Sequence, residues 1–510
     1  MRTTLLRIIA SICGIIACAA FSLPTNADPE RGSFDQGILD ALREQGAISD
    51  AQYRELEARI DRGETPPASA GEADSGWKFR WRDGFRLDSD DGRFKLKFGG
   101  RIQLDGAVIN DSSGNILADD IGTEFRRARI FFEGKLFEHL IFTAQYEFAG
   151  SEKDGQDDAK TDFKDLYVGL RNLPWVGTVK AGRFKEAFGL EALASSKYIT
   201  FMERSLPTVA FAPGRSTGVG FQNTAFDERM TWAIGGFFSN TPDGASYLGN
   251  KSDYQVTGRV TGMPLYADGG RRLLHLGLAY SHAFKGSNAE EVVEVENCTT
   301  NPDTEVETCT VDRETENFPY PQVDFDTRPE AHLAGELVNT GDEPGKGVDK
   351  LGIELALLWN SFSLQSEFMP IWVEGTGYLD DDGDYQPAKD LFFWGVYVQA
   401  SWFPTGEHRN YDTNKGIFKR VKLKENFSLS QGTWGALELA ARYSHLDLND
   451  NGVRGGIENN VTLGANWYLY SNLRLMLNWV HAQRAHIKPG SRMLNGGRAD
   501  IVEGRISLDF

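Results

Sequence analysis

From Trp77 onward, apolar and polar residues alternate with a period of two, and the alternation continues to Phe510. Phe94, Leu96, Phe98, Gly100, Ile102, Leu104, Gly106 and Val108 fall on one face, with Lys95, Lys97, Arg101, Gln103 and Asp105 on the other. This is the pattern of a strand with one apolar and one polar side. Ala128, Ile130, Phe132, Gly134 and Leu136 repeat it against Arg127, Arg129, Glu133 and Lys135. Similar segments near 140–149, 162–171, 176–184, 215–223, 229–238, 252–262, 272–283, 349–360, 361–370, 390–403, 433–446, 459–468, 472–482 and 500–510 bring the predicted strands to sixteen. Upstream the period is helical: Ile38, Leu39, Leu42, Ile48, Tyr53, Leu56 and Ile60 predict a helical hairpin or coiled-coil-like segment within 28–64, broken at Gly46. Residues 65–76, rich in Pro, Ser, Ala and Gly, read as a linker before a domain over 77–510.

Alternation alone suits either a large soluble sandwich, with the apolar face inward, or a membrane barrel, with that face toward lipid. Three features favour the barrel. Aromatic residues gather at strand ends, as at Trp402-Phe403, Tyr443, Trp467-Tyr468 and Trp479. Tight connections such as Asn360-Ser361 and Ser471-Asn472 alternate with long polar loops. The closing strand sets Ile506, Leu508 and Phe510 on one face, and a strand ending in Phe resembles the signal read by the outer-membrane barrel assembly machinery. The expected fold class is therefore all-β, a 16-stranded antiparallel transmembrane β-barrel with a short N-terminal helical segment.

Composition narrows the function. A mean hydropathy of -0.39 excludes a helical membrane bundle. Arg2 and Arg7 ahead of the apolar run Ile8 to Leu23, with Thr25-Asn26-Ala27 as cleavage site, read as a signal peptide over 1–27; Ile15-Ile16-Ala17-Cys18 is a looser lipoprotein alternative. Losing that segment takes the net charge from -19 to -21, which disfavours nucleic acid as a partner. Outside the cytoplasm, Cys298 and Cys309 favour a loop disulfide, since no further ligand nearby supports a metal site.

The ordered blocks FKLKFGGRIQLD (94–105), FRRARIFFEGKLF (125–137), DLYVGL (165–170), AGRFKEAFGLE (181–191), WFPTGEHRNY (402–411), GALELAARYS (435–444) and LGANWY (463–468) resemble the phosphate-selective porin O/P family of Gram-negative outer membranes. The resemblance implies a homotrimeric porin, a loop folded into the lumen, and basic side chains conducting anions such as phosphate. By that analogy the segment 191–215 is the constriction loop, with Lys197, Tyr198, Arg204 and Arg215 as its candidate residues; a loop lying over the rim is the alternative. Residues 30–75, the acidic stretch 285–348 and Pro404 depart from the family pattern.

On the polar face of the predicted strands, twelve Lys and Arg face nine Asp and Glu, a sign reversal within an acidic chain. Lys95, Lys97, Arg101, Arg127, Arg129, Lys135, Arg259 and Arg442 are the candidate anion-conducting residues, because basic rings are the device of anion pores. The alternative is bracing by transverse Arg–Glu pairs, although the group Lys95, Lys97, Arg101, Arg127 and Arg129 has too few adjacent acids to be wholly paired. The strand-free stretch 285–348 carries sixteen acids and four bases; such loops are usually solvated, or hold divalent cations shared with lipopolysaccharide and outer-membrane lipid. Asp380 to Asp384 lacks the later Glu of an EF-hand loop.

No catalytic residue, metal or cofactor is called for. Gly214-Arg215-Ser216-Thr217-Gly218 fits G-x-S-x-G, but a strand follows the Ser where a hydrolase needs a helix, and His275 has no evident acid partner. The competing functions are a general or differently selective porin and a structural envelope anchor acting through the N-terminal segment.

Overall fold

The computed structural model describes residues 76–510 apart from 82–83, 112–115, 119, 150–161, 239–252, 286–288, 301–306, 319–321, 380–384 and 486–495. Over 289–300 and 307–318 it describes only the backbone. In the unit 1–75 only Arg43, Asp50, Tyr53 and Arg54 are described, all helical, with Arg43 paired to Asp50 at 2.8 Å. The expected signal peptide, the remainder of the expected helical segment, the expected linker to Ser75 and the run Asp380 to Asp384 lie outside the described residues.

Sixteen strands close into one antiparallel barrel. A small hairpin, β1 (Trp77–Trp81) and β2 (Phe85–Ser89), precedes them. Then come β3 (Lys95–Asp111), β4 (Asp120–Leu136), β5 (Leu140–Glu147), β6 (Asp162–Leu173), β7 (Gly177–Lys185), β8 (Arg215–Ala225), β9 (Met230–Phe238), β10 (Tyr254–Ala267) and β11 (Arg272–Phe284). After a loop hairpin, β12 (Ala289–Thr300) and β13 (Glu307–Phe318), the barrel resumes with β14 (Gly347–Trp359), β15 (Phe362–Glu374) and β16 (Leu391–Trp402). It ends with β17 (Ala436–Asp450), β18 (Val453–Tyr470), β19 (Leu473–Arg484) and β20 (Gly497–Asp509). Each strand pairs with its sequence neighbour, and β20 pairs with β3 from Arg101↔Asp509 to Asp111↔Ala499. The seam is braced on the inside, where the Arg505 fork donates to both carboxylate oxygens of Asp105 at 2.7 and 2.6 Å.

Parity decides which side faces out. Leu104, Val108, Val168, Leu278, Leu477 and Val502 are exposed outward, whereas Arg101, Gln103, Asp105 and Arg505 are buried inward. An apolar exterior with a polar interior belongs in hydrocarbon around water. Phe362 and Trp402 stack at 5.7 Å at the short-turn end, within the aromatic rim expected there. Beyond the point where β20 stops, Phe510 exchanges two backbone hydrogen bonds with Gly100, and β2 takes over the free edge of β3. Gly99 and Gly100 are required here: a Cβ on either would collide with the Phe510 carbonyl or ring.

Two expectations are corrected. The stretch 285–348 is not strand-free: β12 pairs with β13 in a register that sets Cys298 opposite Cys309, as the loop disulfide would need. Two further short ladders follow between 322 and 344. Nor do connection lengths alternate throughout. Between β16 and β17, on the short-turn side, residues 403–435 form a long insert, while β17 and β18 join tightly at 451–452 on the loop side. Length alone did not reveal the insert's destination, which is the lumen.

Candidate functional site

Three inserts fill part of the barrel. Residues 186–214, with the short helices α1 (Leu190–Leu193) and α2 (Leu206–Phe211), enter from the long-loop end. Their sequence explains the depth. Phe188, Leu190, Phe201, Met202, Leu206 and Phe211 are fully buried, and no aqueous rim would hold so many apolar side chains. The wall makes room for them: a Cβ at Gly352 would press on Phe188, and one at Gly395 would collide with Pro207.

Polar groups then fix the loop to the β15–β20 side. The Glu367 carboxylate accepts the backbone N–H groups of Leu190 and Glu191 at 2.7 and 2.8 Å, and the Tyr397 hydroxyl at 2.6 Å. Asn466 donates to the Thr200 carbonyl, Arg474 to that of Ile199, and Arg505 to that of Met202. The constriction-loop candidates therefore lie inside the barrel, and the rim alternative does not describe this loop.

A second insert, 322–345, comes from the same end. Its Ala331, Ala334 and Leu337 pack on Val480, Ala482, Ala499 and Ile501, so the inner wall is apolar where the loop covers it. Its Glu330 is buried between Arg442, Ser444 and Thr462, which corrects the reading of the acidic stretch as merely solvated.

The third insert is 403–435. Tyr411 Oη lies 2.6 Å from His275 Nδ1, and the Lys415 and Gly416 carbonyls accept from Arg259 at 3.3 and 2.9 Å. Gly416 has φ of +63°, and a Cβ there would strike the hydroxyls of Thr231 and Thr261. His275 does have an acid partner, Glu354, at 3.0 Å, contrary to expectation. Both are locked with Arg259 and Tyr411, whereas the Ser216 hydroxyl bonds Glu186.

Between the first insert and the β3–β9 wall lies a cavity of about 660 Å³. Thirteen of its lining residues are Lys or Arg, against only Glu133 and Asp165. Many of the bases are paired. Arg126 and Arg127 both reach Glu203, Arg129 grips Glu147, Arg215 forks onto Asp165 at 3.1 Å, Lys97 lies 3.4 Å from Glu133, and Arg259 meets Glu354 at 2.7 Å. The expected shortage of acids around Arg127 and Arg129 is thus made good by the loop's Glu203 and by Glu147 on the neighbouring strand.

Four of the others rest on neutral oxygens. Arg101 donates to Ser196 Oγ, Lys180 to Gln222 Oε1 at 2.9 Å, Lys185 to the Ala192 and Ala194 carbonyls, and Arg204 to the Glu191 and Ala194 carbonyls. None has a carboxylate ion pair among the described residues.

Of the remaining predicted residues, Lys197 and Tyr198 line the cavity; Lys95, Lys135 and Arg442 do not. Lys95 and Lys135 face each other across β3 and β4 toward the short-turn end. Arg442 is fully buried against Glu330. Strict alternation missed Arg126, which a bulge opposite Gln103 and Leu104 turns inward. It also missed Lys164, beside a second irregularity between β5 and β6, and Lys415 on the third insert. Interrupted parity, as in Arg126-Arg127, was the available signal.

The family described as "Phosphate-selective porin O and P" matches residues 96–510. A Caulobacter vibrioides protein without an assigned function is 26% identical over 549 residues, covering 99% of this chain and 96% of its own. Porin O of Pseudomonas aeruginosa is 23% identical over 438 residues, covering 79% and 86%. Among solved structures, an anion-selective porin from Comamonas acidovorans aligns at 12% identity with a TM-score of 0.45, covering 82% of this chain and all of that one.

Proposed function

Because the chain belongs to the phosphate-selective porin O and P family, and is thus an outer-membrane porin of a Gram-negative bacterium, we propose that its lumen prefers anions, with phosphate or a related oxyanion as the favoured solute. Family and fold support a channel as its role. One observation carries the preference: Arg101, Lys180, Lys185 and Arg204 line a single cavity while bonded only to neutral oxygens.

A base held by a carboxylate has its field largely cancelled, whereas one held by a hydroxyl, amide or carbonyl keeps its charge for the solute. Guanidinium groups add a planar fork that matches two oxygens of a phosphate. An anion entering the cavity exchanges water for these donors, and a cation meets their repulsion; fixed basic groups give anion pores their selectivity in this way. A homotrimeric assembly amid lipopolysaccharide, which the family resemblance implies, belongs to the same reading.

The test is single-channel recording in chloride at low salt, with phosphate added. Arg101→Gln combined with Lys180→Gln is expected to move the reversal potential toward cations and weaken phosphate block, with an effect that fades as the Debye length shrinks below roughly 8 Å. Since neither residue has an ion-pair partner to orphan among the described residues, the barrel's resistance to heating in detergent is expected to change little. Unchanged selectivity in this variant would overturn the anion preference and favour a general diffusion porin.

A further inference from the structure

Next to the main cavity is a much smaller one, about 20 Å³, at the short-turn end of the lumen. Lys197 and Tyr198 line both, so the two spaces adjoin across this pair. The small cavity collects three cationic groups from three elements: Lys197 of the first insert, Arg420 of the third, and Arg474 of β19. The one acid among its lining residues is Asp509 of β20.

Arg474 is 4% exposed. Its Nη1 donates to the Ile199 carbonyl at 2.9 Å and to Tyr468 Oη at 3.2 Å, but its Nη2 has no hydrogen-bond partner among the described residues. A buried guanidinium N–H without an acceptor is costly and marks a place where an acceptor belongs. Beside it, Arg420 grips the Asp509 carboxylate, and Lys197 Nζ stands 3.8 Å from the same group. Two positive charges thus share the Asp509 carboxylate, and a third, Arg474, lines the same small space.

Carboxylate and phosphate oxygens compete for the same donors. A space of about 20 Å³ holds a water but not a tetrahedral oxyanion, so a larger anion enters only if a side chain gives way. The backbone of Asp509 is fixed by its pairing with Arg101 across the seam, which leaves its side chain as the part able to move.

From this we infer that Lys197, Arg420 and Arg474 form a second oxyanion subsite, in which the Asp509 carboxylate is a tethered counter-ion that an incoming inorganic oxyanion displaces. The inference rests on the anion-conducting reading and adds to it a built-in competitor that sets how tightly the lumen retains its solute.

The experiment is chloride current through the full chain in planar bilayers, titrated with inorganic phosphate. Removing the competitor with Asp509→Asn is expected to lower the half-blocking phosphate concentration roughly tenfold, and adding Arg474→Gln to reverse that gain. An unchanged half-block in Asp509→Asn overturns the subsite. If that variant fails to assemble, Arg474→Gln alone decides, because it removes the unpartnered donor: weaker block supports the subsite, and unaltered block overturns it. Block that vanishes in the Arg101→Gln, Lys180→Gln variant yet ignores both Asp509→Asn and Arg474→Gln refutes the subsite and leaves the anion channel standing. A wild-type channel blind to phosphate that gains block in Asp509→Asn does the reverse.

Discussion

On the β3–β8 side of the lumen, Arg101, Lys180 and Lys185 lean on a serine hydroxyl, a glutamine amide and two loop carbonyls around an open cavity. On the β14–β20 side, Arg442 and Arg505 are buried against Glu330 and Asp105, with the first insert packed over much of that wall. The residue type is the same and the use is opposite. Neighbours make the difference: a neutral acceptor orients a base and leaves its field intact, while a carboxylate consumes the field and turns the base into a brace. Inward-facing basic residues therefore cannot be counted as conducting groups until their partners are known.

The comparison breaks most visibly at Arg442. Arg442→Met leaves the buried carboxylates of Glu330 and Glu191 without their cation, a loss of about 3–5 kcal/mol. The unfolding temperature in detergent is expected to fall sharply, whereas channels that do assemble keep the wild-type reversal potential. A shifted reversal potential in those channels would place Arg442 on the conducting side.

Arg127 and Arg129 test the boundary, since they line the cavity yet are paired. Converting both to Gln orphans Glu147 but leaves Glu203 held by Arg126 and Arg505. A moderate loss of thermal stability is expected, with a smaller change in selectivity than in Arg101→Gln, Lys180→Gln, measured by reversal potentials at low salt. The opposite ranking would mean that pairing does not silence a lumen base.

The smallest effect concerns pH. Lys197 is on the first insert rather than on a spanning strand, and burial lowers its ammonium pKa to about 8, with Asp509 opposing the shift and Arg101, Arg420 and Lys97 adding to it. A lysine with a lowered pKa is charged below that value and neutral above it, so anion preference is expected to decline as pH rises from 7 to 9. Lys197→Met is expected to flatten this slope. A slope that survives the substitution would assign the titration to another group.

Much of the barrel was legible because lipid outside and water inside force a period of two on each strand, and all sixteen segments appear in the closed sheet. The pattern failed where that contrast was lost. At Val480 and Ile501 the inner face is apolar because residues 322–345 cover it, and at Arg126 a bulge reversed the parity. The inward course of the first insert was legible only through the family resemblance, since nothing in its own spacing says that Phe188 or Phe201 finds a pocket over a wall glycine.

The sequence by itself determined the number of strands, the faces they present and the excess of basic residues on the inner one, because these follow from local alternation imposed by two solvents. Only the tertiary structure decided which bases remain uncompensated. Arg127 meets Glu203 across 76 positions, Arg442 meets Glu330 across 112, and Arg505 meets Asp105 across 400. Such pairings exist only once the barrel has closed and its inserts have folded inward. A side chain's charge is written in the sequence, but its availability to a solute depends on partners that the chain brings near only by folding.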